Sequence, residues 1–245
     1  MFGCVTDNNA ATNHSVIFNS EIVTREDLSS NNWSYTNTQY WAPNKDYYFV
    51  AISTNNMEPK WTFTVPDTHD ATLKVGETFK GYGTVEMNIA EENADRDLVY
   101  AYASRATNAE ITDASQVHLT FNHMLSRIVV NFKNDMTTSG YTMSISNIKI
   151  GGLTAAGSVD LGVAPSALAG KPANEDPGTA VSVSIPDGNG IAIAQALSSD
   201  SKFIIPGSQE LEISFDVDVK LNGAAYSKRS MSGKIAEATY APGCS

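Results

Sequence analysis

The chain has 245 residues, 42% of them hydrophobic and only 18% charged, with a formal net charge of −11. That length suffices for one large β-domain or for two of roughly 110 to 130 residues, each with its own core. The acidic balance argues against nucleic acid and anionic lipid as partners. No apolar run approaches the ~20 residues that a membrane-spanning helix needs.

Met1-Phe2-Gly3-Cys4 is followed at once by the polar run VTDNNAATN. A small residue before cysteine looks like the end of a bacterial lipoprotein signal without its apolar part. A chance cysteine near a frayed terminus is the equal alternative. Residues 4–15 read as a polar, flexible tail. Val16-Ile17-Phe18 opens the first strand, which reaches Val23. A polar loop follows, anchored by Trp33, Tyr35, Tyr40 and Trp41. DYYFVAI, Asp46 to Ile52, is aromatic and β-branched and predicts a buried strand. WTFTV, Trp61 to Val65, alternates and predicts another. Short strands are also expected over 72–80, 82–89 and 97–103.

Val117 to Phe132, VHLTFNHMLSRIVVNF, reads as two strands meeting at a bend. Leu119, Phe121 and His123 share one face of the first, and Ile128, Val130 and Phe132 one face of the second. Strands are then expected over 141–150, 157–161, 181–185 and 203–205. LEISFDVDVKL, Leu211 to Leu221, alternates most cleanly of all. Asn222-Gly223 signals a tight hairpin with a return strand from Ala224 to Ile235. Many short strands at this spacing predict an all-β chain of two tandem β-sandwich domains, 1–114 and 115–245.

Motifs for chemistry are sparse. His118 and His123 fall on opposite strand faces and cannot jointly hold a metal as an i, i+2 pair could. His123 is expected to face the core. His14 and His69 complete the histidines, and no zinc-ligand spacing occurs. The acidic run Glu91-Glu92-Asn93-Ala94-Asp95-Arg96-Asp97 lacks a calcium-loop pattern and reads as a solvated turn. Asp216 and Asp218 share a solvated outer face with Glu212 and Lys220. No nucleophile elbow or phosphate loop is present. Cys4 and Cys244 lie outside the hydrophobic strands and form no C-x-x-C motif; a bridge between them is left open. No catalytic residue, metal or cofactor is expected. Trp33, Tyr35, Tyr40 and Trp41 are either a sugar-stacking platform or, the favoured reading, a packed domain edge.

A set of pieces in order along the chain resembles the fimbrillin family, the pilus subunits and surface lipoproteins of anaerobic Gram-negative bacteria. The pieces are Phe2-Gly3-Cys4, the first strand with Thr24-Arg25, Tyr40-Trp41-x-Pro43 before Tyr48-Phe49-Val50-Ala51, and Asp97-Leu98-Val99-Tyr100-Ala101. Leu119-x-Phe121-x-His123-x-Leu125, Gly157-Ser158-Val159-Asp160-Leu161 and Ile204-Ile205-Pro206-Gly207 follow. The resemblance implies two transthyretin-like sandwiches, export as a lipoprotein acylated on Cys4, and display in an outer-membrane, cell-surface fimbria. It implies cleavage after Arg25 and departure of the strand at 16–23. A strand from another fimbrial subunit would replace it. The resemblance further implies a final strand after the closing Pro-Gly turn, which ends here at Ala241-Pro242-Gly243-Cys244-Ser245. The expected role is therefore structural and adhesive and not enzymatic. Its partners would be other fimbrial subunits and a host protein or glycan, with membrane contact only through the lipid anchor. The alternative is a monomeric surface lipoprotein that binds glycan or host ligand through exposed aromatics.

Overall fold

The computed structural model describes residues 1–7, 15–18, 21–25, 27, 29, 33–53, 62–64, 84–88, 95, 97–107, 117–154, 156–160, 179–185, 191 and 195–243. Every regular element among them is a β-strand. They are β1 (Phe2–Asp7), β2 (Ser15–Phe18), β3 (Thr24–Arg25), β4 (Trp33–Ser34), β5 (Lys45–Ser53), β6 (Thr62–Thr64), β7 (Thr84–Asn88), β8 (Val99–Ala106) and β9 (Asn122–His123). Then come β10 (Ser126–Ile128), β11 (Asn131–Lys133), β12 (Tyr141–Leu153), β13 (Ala156–Asp160), β14 (Thr179–Val183) and β15 (Ala196–Ser198). β16 (Lys202–Ile204), β17 (Gly207–Leu221) and β18 (Ala224–Tyr240) complete the order. The chain divides into two interleaved units, residues 1–85, 98–122 and 159–168 in one and 86–97, 123–158 and 169–245 in the other. The expected boundary at 114/115 lies outside the described residues.

The first unit is built on β5. Its sheet runs β2-β1-β5-β8-β9. Asp46 to Ala51 of β5 are buried without alternation, as befits a strand covered on both faces. Tyr47 and Phe49 join Phe18 of β2 in an aromatic cluster on one face. On the opposite face Cys4 of β1 lies beside Tyr48, and both are fully buried. Residues 4–7 are thus not a flexible tail, and Cys4 does sit in a strand. The run VTD shows no apolar periodicity that would signal this, because β1 is paired to β5 through backbone bonds. Thr107 closes the Lys45 end of the sheet. Its Oγ accepts from Lys45 N at 2.9 Å and lies 2.6 Å from the Ala42 carbonyl, to which it donates.

The second unit has a four-stranded sheet, β14-β12-β17-β18, and the two-stranded ladders β10-β16 and β11-β15. Alternate residues of the long strands point inward, so Ile148, Ile150, Val181, Val183 and Leu211 are buried. Asn222 and Gly223 both have positive φ, 48° and 83°, the geometry that lets the twisted strands β17 and β18 meet in two residues. Gly152 occupies a register shift in β12 at φ 75°, and a Cβ there would collide with the Glu210 carbonyl oxygen. Buried Asn134 satisfies its amide between the Ile191 carbonyl (2.9 Å) and Met136 N (3.0 Å).

The hairpin expected over Val117 to Phe132 does not form. Residues 117–121 are irregular, β9 lies at the end of the β5 sheet, and β10 and β11 pair with β16 and β15. Period-2 alternation fixes the face of a residue but not the partner of its strand. His123 likewise does not face the core. Its side chain is exposed and its Nδ1 contacts the Asp97 carboxylate.

Replacing Thr107 by valine keeps the volume but strands Lys45 N and the Ala42 carbonyl. We expect Thr107→Val to lower stability by about 1 to 3 kcal/mol in urea unfolding, with the m-value unchanged.

Candidate functional site

The segment before Arg25 is the distinctive local feature of the first unit. β1 lies between β2 and β5, antiparallel to both. Its ladder with β5 runs six residues, from Phe2↔Val50 to Asp7↔Lys45, and an ion pair between Asp7 and Lys45 closes its end. β2 pairs only with β1 among the described strands and is the sheet edge. It is shorter than the strand expected at 16–23. Its Phe18 is buried, meets Tyr35 edge-on at 5.3 Å and contacts Phe49 at 6.3 Å. Gly3 permits that approach, since a Cβ there would lie 2.8 Å from the Phe18 ring.

After β2 the chain is tied back twice. The Met1 amine donates to the Glu21 carbonyl and Glu21 N to that of Met1. The Glu21 carboxylate accepts from Asn37 N (3.1 Å), Asn37 Nδ2 (2.5 Å) and Thr36 N (2.9 Å). β3 then pairs with β4, placing Arg25 opposite Trp33, with its guanidinium 5.7 Å from the ring centroid. Arg25 therefore sits half-buried in a two-residue ladder whose neck is the Glu21 clamp.

The four aromatics differ in partners and exposure. Trp41 packs edge-on against Tyr47 at 4.6 Å, with the Arg105 guanidinium 4.6 Å above its ring. Tyr35 leans on Phe18. Trp33 is 59% exposed beside Arg25, and Tyr40 is 85% exposed.

Elsewhere the candidate chemistry is spent on structure. Asp95 and Asp200 both bind buried Lys202. Burial works against that ammonium, but hydrogen bonds to the two carboxylates outweigh it and raise its pKa. Asp216 accepts from Ser230 Oγ (2.6 Å) and Asn147 Nδ2 (2.7 Å), which hold its carboxyl below the ordinary range. Among the described residues no group of three or more His, Cys, Asp or Glu could hold a metal ion, and no helix is long and apolar enough to cross a membrane. Cys244, His14, His69, Glu91 and Glu92 lie outside the described residues. What sequence reasoning missed was β1 and the Glu21 clamp; nothing in FGCVTD or in the lone Glu21 signals either.

Among its described residues the chain is all-β, with β1 and β2 at a sheet edge ahead of the strapped Arg25. It belongs to the fimbrillin-like family, whose model matches residues 2–240. A fimbrial protein from Bacteroides vulgatus ATCC 8482 shares the fold with a TM-score of 0.62, covering 98% of this chain and 82% of that one at 14% identity. No curated protein matches the chain. The family resemblance read from the ordered sequence pieces is thus shown.

The pKa of Glu21 is lowered, first by the Asn37 backbone amide and next by the Asn37 side-chain amide. Its contribution is therefore present in the ionised state and lost as pH falls through the lowered folded value. We expect wild type to protect the 21–37 strap from amide exchange more than Glu21→Gln does at neutral pH. That difference should begin to shrink below the ordinary carboxylate value and vanish only once pH has passed the lowered folded value.

Proposed function

We propose that the chain is a structural, adhesive subunit of a bacterial surface fimbria, joined to its neighbours by donor-strand exchange after cleavage following Arg25. Membership of the fimbrillin-like family supports a pilus subunit displayed at the cell surface. The observation that carries the strand-exchange step is the order of the leading strands. β1 and β2 both precede Arg25, and β1 alone covers one side of β5. A cut after Arg25 puts both strands on one fragment. Its departure uncovers six residues of β5 backbone and the Tyr47 and Phe49 rings, a template for an added strand. The reading includes two transthyretin-like domains and acylation of Cys4 in the exported lipoprotein. In the paired state the Cys4 side chain is fully buried. Acylation therefore belongs to a state in which β1 has not entered the sheet.

Nicking with an arginine-directed protease tests this. We expect cleavage after Arg25, loss of residues 1–25 and concentration-dependent polymers by size-exclusion chromatography, all absent in Arg25→Ala. Nicked protein that stays monomeric with its leading strands retained would defeat the strand-exchange reading.

The exposure of Trp33 and Tyr40 favours a second reading, in which a monomeric lipoprotein binds glycan or a host ligand through aromatics. Affinity electrophoresis against a sugar panel separates the two. Retardation that falls at least about tenfold in Trp33→Ala/Tyr40→Ala supports stacking, given ~1.4 kcal/mol per decade; no retardation removes it.

A further inference from the structure

The longest strand of the second unit is its edge. β18 pairs with β17, and no other described strand lies on its outer side. Its 17 residues span about 55 Å, and almost all of them are exposed. Proteins blunt such edges with lysines, short strands and proline. Here the lysines are present, but the strand is long and contains no proline. Tyr226, Met231 and Ile235 are also left 62%, 48% and 45% exposed.

The register with β17 sorts the β18 side chains. Ile235, Gly233, Met231 and Arg229 lie opposite Leu211, Ile213, Phe215 and Val217 on the apolar face. Lys234, Ser232, Ser230 and Lys228 lie opposite Glu212, Ser214, Asp216 and Asp218 on the other. Lys228 thus has Asp218 across the ladder, and Lys234, opposite Glu212, forms its ion pair with Glu210 at 2.6 Å. The same side chains flank the open side, because a strand presents its faces to both neighbours. An apolar cleft of about 260 Å³, lined by Ile128, Val130, Ile150, Leu211, Ile213 and Ile235, reaches the edge strand at Ile235. β18 is locally basic, with Lys228, Arg229 and Lys234 against Glu237, in a chain of net charge −11.

We propose that the outer edge of β18 takes up an extended strand of another protein, one that alternates apolar residues with carboxylates. Backbone bonds would come from the open edge, its apolar residues would lie over Met231 and Ile235 and enter the cleft, and its carboxylates would meet Lys228 and Lys234. The occupied side of β18 supplies the template, since β17 has this alternation. A second copy of this chain does not fit. Its β17 has both edges taken, by β12 and β18, and its own open edge is basic. The proposal concerns the second unit alone and stands whether or not Arg25 is cut.

The probe is a fluorescein-labelled peptide with the sequence of residues 210–220, ELEISFDVDVK, titrated into the whole chain and read by anisotropy. We expect saturable binding that weakens between about 50 mM and 500 mM salt. We also expect binding about tenfold weaker for the K228E/R229E variant, and for a peptide whose acidic residues are replaced by lysine. Hydrogen exchange should slow in β18 and stay unchanged in β17. Absence of binding overturns the proposal, as does equal affinity for the lysine peptide or for K228E/R229E. Loss of protection in β17, which would mean strand replacement, overturns it too, as does self-association of the chain alone under the same conditions. Should K228E/R229E fail to melt cooperatively, the lysine peptide and the exchange pattern of wild type decide.

Discussion

The first sheet depends on six residues of backbone pairing between β1 and β5. β5 is enclosed on both faces, so its polar groups on that side have no access to water and are satisfied by Phe2 to Asp7. An unpaired buried amide or carbonyl costs on the order of 1 to 3 kcal/mol. The ladder is therefore obligatory for as long as the cluster of Phe18, Tyr47 and Phe49 stays closed. The strand that supplies it lies ahead of Arg25, as does the edge strand β2.

The second sheet divides its labour differently. β17 pairs along its length with β18 and over much of it with β12, and it alternates apolar and acidic residues. Polar side chains then fix the segments beside it. Gln209 donates to the Ile205 carbonyl and accepts from Thr154 N, and Lys202 is buried with Asp95 and Asp200 around its ammonium. These groups are satisfied where they are buried, which is the condition for a polar residue to specify one packing and not several.

Local chemistry made part of this legible in the sequence. DYYFVAI, YTMSISNIKI and LEISFDVDVKL have patterns that leave no other reading, and Asn222-Gly223 names its own turn. The strand at Phe2 to Asp7 had no such pattern, because it is held by its neighbours' backbones and by a buried cysteine. Val117 to Phe132 had the pattern but not the partners, since alternation carries no information about which distant strand will pair. His123 was misplaced for the same reason: the alternation was real, but the strand bearing it was two residues long. The four aromatics show a further limit. Trp33 and Trp41 are alike in composition and neighbourhood, and only the positions of Arg25 and of Tyr47 separate the exposed ring from the packed one.

The two edges described also differ in kind. β2 is four residues long, and its Phe18 is anchored in the core, so it offers little ladder to a stranger. β18 is four times longer, regular apart from its bulges, and apolar on one face where it borders a cleft. Edge pairing scales with the number of backbone groups presented in register, and selectivity comes from the side chains that flank them. A short anchored edge suits a strand held more by its core contact than by its ladder. A long, basic, half-apolar edge on an acidic chain suits a surface that selects by charge. The lysines that discourage like chains at β18 are the same groups that would admit an acidic strand, so protection against self-pairing and recognition of a partner rest on one feature.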